Sequence, residues 1–146
     1  MKEIKMDSDI GKISSNGEKL ACVYSGTTNT IIIIDIQTIL NDTPDYIEVL
    51  SEPGIHFNLP QDVFIDGNHL FVADTNFNRV LIWNNIPSSG SDIPDIVIGQ
   101  NSFECTLQPK FTKDGLFFPG GVWFDGNFLW VGEFKFSHRV LRYSIH

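Results

Sequence analysis

Residues 59–83 read LPQDVFIDGNHLFVADTNFNRVLIW, short apolar runs broken by Asp66-Gly67-Asn68 and by the polar stretch 74–78. Runs of this length between turn residues predict β-strands. Three are expected here, over 61–65, 69–73 and 79–83, and a fourth over 95–98 after the break at 84–94. Upstream, Asn16-Gly17 marks a tight turn, since both residues tolerate positive φ. Strands over 10–14 and 19–24 flank it, an isoleucine-rich strand spans 30–36, and the Asn-Asp-Thr-Pro cluster ending at Pro44 precedes another over 46–50. The opening MKEIKM alternates charged and apolar positions and suits one short strand over 2–6, centred on Ile4, or a frayed terminus. No ten-residue stretch keeps a 3.6 period free of breakers, so no helix is expected.

These strands repeat. Leu20 and Leu70 stand 50 residues apart, as do Pro44-Asp45 and Pro94-Asp95, while Ile31 and Val80 stand 49 apart. Residues 118–143, FPGGVWFDGNFLWVGEFKFSHRVLRY, are a third copy. Pro60 matches Pro119, Asp66-Gly67-Asn68 matches Asp125-Gly126-Asn127 and Leu70 matches Leu129 at 59 residues, and Arg79-Val80-Leu81 matches Arg139-Val140-Leu141 at 60. The extra length is one insertion, 101–117. A period near 50 with four strands per unit is the signature of β-propeller blades. The expectation is therefore one all-β domain over 1–146 with three blades of four antiparallel strands, at about 10–58, 59–117 and 118–146. The third unit reads short of its fourth strand.

Charge and composition narrow the partners. With 18 acidic against 10 basic side chains the net charge is -8, which repels phosphate backbones and anionic membrane surfaces, so neither nucleic acid nor membrane is expected. No pure apolar run exceeds five residues, and the charged N-terminal stretch lacks the apolar core of a signal peptide. Two cysteines, Cys22 in an apolar run and Cys105 in a polar one, have no zinc spacing and fit a reducing, cytoplasmic setting.

The second unit resembles an NHL repeat through Pro60, Val63, Asp66, Gly67, Val72, Ala73, Asp74, Asn78, Arg79 and Val80. The third keeps Pro119, Gly121, Val122, Asp125, Gly126, Val131, Arg139 and Val140, with Gly132-Glu133 in place of Ala-Asp. The first is remote, with Ile10, Tyr24 and Asn29-Thr30 at the places of proline, aspartate and Asn-Arg, and DIVIGQ, ending at Gln100, is similar to the inter-blade stretch of bacterial members. The resemblance implies rings of six blades. Three units per chain then imply a homodimer that closes one ring, with residues 2–6 of one chain completing the partner's third blade by strand pairing. It also implies a non-catalytic binding or assembly scaffold that takes a protein or small molecule on the face carrying the inter-blade loops. Related propellers that are metal-dependent lactonases, esterases or lyases supply the alternative, an enzyme with its site at the central channel.

The candidate residues follow from that plan. First strands line the channel, which puts Gln61 and Asp62 at its mouth opposite Gly120 and Gly121, with Gly11-Lys12 at the matching place of the first unit. Asp62 is the one candidate for a metal ligand, for a hard cation such as Ca2+. No cofactor and no catalytic residue is otherwise expected. Four histidines show no HxH or HExxH spacing and no serine sits in a GxSxG elbow, which leaves His56 to weigh as a general base. Asp74 and Arg79 are expected to pair as a structural element, with Arg139 in the same role and Asn78 bonding its own backbone. Asp66 and Asp125 are turn formers. The loop face should carry Phe77, Phe134, Lys135 and Phe136, together with Phe103 and Phe111 of the insertion, either as ligand anchors or as packing for their own blades.

Overall fold

The computed structural model describes the chain except residues 2, 4, 7, 26–28, 52–55, 107–111 and 136. It is all-β. Strands β1 (Asp9–Ser15), β2 (Lys19–Ser25), β3 (Asn29–Asp35) and β4 (Tyr46–Val49) form a first antiparallel sheet in chain order. A second holds β5 (Pro60–Ile65), β6 (Leu70–Asp74), β7 (Arg79–Trp83) and β8 (Ile96–Ile98), and a third holds β9 (Pro119–Phe124), β10 (Phe128–Glu133) and β11 (Val140–Ser144). Each strand pairs with its neighbour in sequence, as short turns between β-rich runs dictate.

Two departures from the sequence expectation have local causes. Ile36 leaves the third strand to begin a one-turn helix, α1 (Ile36–Leu40), where none is expected. Asp35 caps it, its carboxylate accepting the Gln37 N–H at 2.9 Å while Thr38 Oγ1 donates to the Asp35 carbonyl at 2.7 Å. One turn is too short to show a period. A 3-10 turn, Thr75–Phe77, likewise replaces the loop between β6 and β7. The expected strand over 2–6 falls partly outside the described residues, and Glu3, Lys5 and Met6 carry none.

Side-chain acceptors shape the hairpin turns more than glycine does. Asn16 Oδ1 accepts from the N–H groups of Glu18 and Lys19 at 3.0 and 2.8 Å, Asp66 Oδ1 from Asn68 and His69 at 2.9 and 2.7 Å, and Asp125 Oδ1 from Asn127 and Phe128 at 2.9 and 2.8 Å. Gly17 and Gly126 take positive φ, whereas Gly67 does not.

The sheets pack face to face in chain order. Ala21, Val23, Ile31 and Ile33 of the first sheet meet Val63, Leu70, Val72 and Trp83 of the second. The second sheet's other face, with Phe71, Ala73, Val80 and Ile82, meets Val122, Phe124, Leu129 and Val131 of the third. The first strands lie side by side, β1 against β5 and β5 against β9. Each has a register shift at the same repeat position, between Ile10 and Ile13, between Pro60 and Asp62, and opposite Gly132 and Glu133. Such bulges re-aim side chains at a sheet rim.

Gly99 joins β8 to the insertion with φ 94° and bridges to Gly115. A Cβ there would stand 2.6 Å from the Asn78 carbonyl and 2.8 Å from Leu116 Cβ. Gly17 has the same φ with nothing within 4 Å. We expect Gly99→Ala to cost roughly 2 kcal/mol or more and Gly17→Ala about 1 kcal/mol, read as shifts in urea midpoint.

Candidate functional site

The second and third sheets carry one polar arrangement on their loop side. Asp74 ends β6, Arg79 begins β7, and the two are register partners. Arg79 Nε donates to Asp74 Oδ2 at 2.7 Å, with the side chains 2% and 0% exposed. The other carboxylate oxygen accepts the Asn58 N–H at 2.7 Å. The guanidinium also donates to the carbonyls of His56, at 3.2 Å, and Phe103, and lies 4.9 and 5.1 Å from the ring centroids of Phe77 and Phe103. One ion pair thus gathers the chain entering the sheet, its own turn and the insertion that leaves it.

In the third sheet Arg139 donates to both oxygens of Glu133, from Nε at 2.7 Å and from Nη2 at 2.8 Å. Glu133 accepts the Phe117 N–H at 2.8 Å, and Arg139 donates to the carbonyls of Gly115 at 3.1 Å and Thr112 at 3.4 Å. Phe117 and Gly115 are the repeat counterparts of Asn58 and His56, 59 residues on. Glu133 and Arg139 are one residue further apart in sequence than Asp74 and Arg79, but the extra residue lies in the loop and the pair still meets across the strands, with the Glu133 N–H donating to the Arg139 carbonyl at 2.9 Å. Each clamp holds the residue before a strained one, since Leu59 and Phe118 have φ of 52° and 45°, a region that bulky side chains disfavour. The first sheet has Tyr24 and Thr30 at the clamp positions, paired in register.

The two carboxyls respond differently to burial. It pushes Asp74 up to about 6, against the opposing pull of Arg79 and the Asn58 N–H. Burial also acts upward on Glu133, but there Arg139 and the Phe117 N–H outweigh it and the carboxyl lies below its ordinary range.

Asp62, the candidate metal ligand, joins two sheets. Its Oδ2 accepts the Val122 N–H of β9 at 2.9 Å and its Oδ1 accepts the N–H of Val63 at 3.0 Å. Ser14 makes the matching link one sheet earlier, accepting the Ile65 N–H at 3.0 Å. Burial raises the Asp62 carboxyl, offset in part by those two N–H groups and by the charge of Lys12. A calcium ion takes about six to eight oxygen ligands. This carboxylate has both oxygens on backbone N–H groups, a lysine nearby and Gly121 beside it, so the donor set does not suit that ion. Among the described residues no three His, Cys, Asp or Glu side chains could hold a metal together. Gln61 is the exposed residue of the β5 bulge.

The loop-face side chains form two groups. His56 meets the Phe77 edge at 5.5 Å, beside Arg79 and Phe103. Its carbonyl serves the clamp, and its ring lies against Phe77, near enough to the Asp74 carboxyl to act on it electrostatically. In the second group Lys135 Nζ lies 5.0 and 5.4 Å from the rings of Phe118 and Phe134, and Phe134 covers Gly120, where a Cβ would stand 2.6 Å from its ring. Phe111 and Phe136 lie outside the described residues.

Sequence reasoning missed three polar contacts. Asn78 donates to the Asn76 carbonyl, but its Oδ1 accepts the Phe118 N–H at 3.0 Å, so it bonds across to the next sheet as well as locally. Thr75 Oγ1 donates to the Pro119 carbonyl at 2.7 Å. His69 Nδ1 lies 2.9 Å from Asp66 Oδ2, a pairing that the His at three residues after a turn aspartate could have signalled.

No protein-family model and no curated protein matches the chain. The clamps make their own test. Asp74→Ala strands a buried guanidinium and should cost about 3–5 kcal/mol. Glu133→Ala should cost roughly 1–2 kcal/mol, because water reaches the partly exposed Arg139. The lowered Glu133 carboxyl stabilises the fold above its ordinary pKa of 4.5 and loses that contribution as pH falls through the folded value. Urea midpoints between pH 7 and pH 3 should therefore fall less steeply for Glu133→Gln than for the parent.

Proposed function

We propose that this chain is a non-catalytic assembly and binding scaffold whose sheets are three consecutive blades of an NHL-like propeller, closed into a six-bladed ring by a second copy. The observation that carries the reading is the state of the third sheet. Among the described residues β11 has no fourth strand beside it, and the sheet's outer face leaves Trp123 and Val140 59% and 73% exposed. An exposed edge and an apolar face are what ring closure removes. Residues 2–6 of the second copy are the strand we assign to that edge, and Met6 packs against Cys22, Ile32 and Ile34 on the first sheet's outer face, beside where the partner would arrive.

The ligand surface in this reading is the loop face, with His56, Phe77, Phe103, Phe134 and Lys135 around the two clamps. Aromatic rings flanked by cations, held on a rigid base, suit recognition of a protein or an uncharged small molecule more than chemistry upon it. Asp62 supports the non-catalytic reading, since its oxygens hold backbone N–H groups of two sheets. No helix of the described residues is long and apolar enough to cross a membrane.

Light scattering tests the assembly. The expected mass is twice the 16.5 kDa of one chain, and a monomer at every concentration would sink the ring. Removing residues 1–6 should weaken the dimer, and an unchanged dimer would remove the exchanged strand while leaving the ring.

A further inference from the structure

We infer that the outer face of the third sheet docks onto the first sheet of a second copy, with Ile13 of one copy seated over a hollow between Gly121 and Gly132 of the other. The inference rests on the ring reading and specifies its interface.

The hollow is built by register. On that face Trp130 pairs with Trp123, and the next pair along is Gly132 with Gly121. A Cβ at Gly132 would meet nothing within 4 Å, and one at Gly121 only the Asp62 carboxylate at 3.8 Å. The stretch floored by glycine backbone ends at the two tryptophans, Trp123 against the Phe64 ring at 4.7 Å and Trp130 donating to Asp125 Oδ2 at 2.8 Å, and Val140 borders it beside Gly132.

The repeat positions on this face, Trp130, Gly132, Val140 and Arg142, are covered twice already within the molecule. In the second sheet they are Phe71, Ala73, Val80 and Ile82, all buried against the third. In the first they are Ala21, Val23, Ile31 and Ile33, buried against the second. The covering side is repeated too. Val63, Leu70, Val72 and Trp83 provide it in the second sheet, and their counterparts in the first are Ile13, Leu20, Cys22 and Ile34. Of these Ile13 is 60% exposed, whereas Cys22 and Ile34 are already buried beneath Met6, Leu20, Tyr24 and Ile39, so the partner would meet the Ile13 end of this face.

Inner-strand contacts set the register of docking. Ser14 reaches Ile65, and Asp62 reaches Val122, each one repeat position further along in the next sheet. Continued once more, Gly121 comes opposite Ile13 of the second copy, and glycine leaves room for it. A buried lead-in residue also sits at each internal junction, Phe57 at the first and Leu116 at the second, 59 residues apart. Met6, one residue before the counterpart of Phe57, already lies on the first sheet's outer face. A two-fold pair makes this contact twice, once in each direction, and closes.

Ile13 is 60% exposed in the single chain and Trp123 59%, touching the Phe64 ring at 4.7 Å, so Ile13→Lys and Trp123→Glu should keep the parent's β-sheet circular dichroism as monomers, with urea midpoints lowered by the stabilisation that dimerisation gives the parent. Each should weaken dimerisation about thirtyfold or more, as for a central aromatic or a desolvated contact. An equimolar mixture of the two should recover a heterodimer, since the intact third sheet of one meets the intact first sheet of the other. Sedimentation or light scattering reads all three. A dimer that Ile13→Lys leaves unchanged, or a mixture that stays monomeric, would overturn this interface with the dimer itself standing. A parent chain that never dimerises would instead remove the ring reading beneath it.

Discussion

The Arg79 guanidinium is the point on which the loop side of the molecule depends. It has a single buried counter-ion, Asp74, and its remaining donors go to carbonyls of segments that have no strand partners of their own. A buried ion pair is a poor source of net stability, because desolvation offsets most of the attraction. What it supplies is position. Removing either partner leaves the other in an apolar surrounding, so the loops around it have one arrangement that satisfies every charge. The third sheet repeats the device with Arg139 30% exposed, and there the arginine and the Phe117 N–H outweigh burial and hold Glu133 down, whereas burial prevails at Asp74 and pushes it up.

Much of the fold was legible because strands here are short, continuous and separated by turn residues. The 79–83 strand was readable from RVLIW alone, since a fully buried strand needs no alternation. Helix α1 was not, because five residues cannot show a period and its one signal, an aspartate cap, also begins turns. The clamps were half legible. Asp74 and Arg79 stand close in sequence, but their grip on Asn58, His56 and Phe103 joins residues that only the folded chain brings near. Glu133 read as a departure from the Ala-Asp pattern and turned out to hold the same atoms as the aspartate does, one methylene further out. Asn78 read as a local turn residue because local bonding is the default for asparagine, and nothing nearby in sequence pointed to Phe118.

Asp62 changed meaning most. On a channel strand a carboxylate invites a metal or a proton to move, and its pKa is raised, which is often a mark of function. The geometry gives a plainer cause. The carboxylate is drawn out of water to accept N–H groups at the junction of two sheets, and burial raises its pKa as a by-product. Ser14 does the same at the earlier junction with a neutral acceptor, so charge is incidental to the task.

That equivalence bears on where a ligand would sit. Lys12, Asp62 and Gly121 occupy one repeat position, and in a closed pair the central opening would present cation, anion and glycine twice around. Each Lys12 would stand beside an Asp62, as it does within one chain, leaving no concentration of negative charge at the opening despite a chain that carries -8 overall. In such a pair the excess acidity would lie away from that opening, where it would keep assembled rings apart. A neutral opening has little to offer an ion or a charged substrate. Under the proposed binding role, recognition would fall to the loop face, where Arg79 holds the rings of Phe77 and Phe103 and Lys135 lies over those of Phe118 and Phe134.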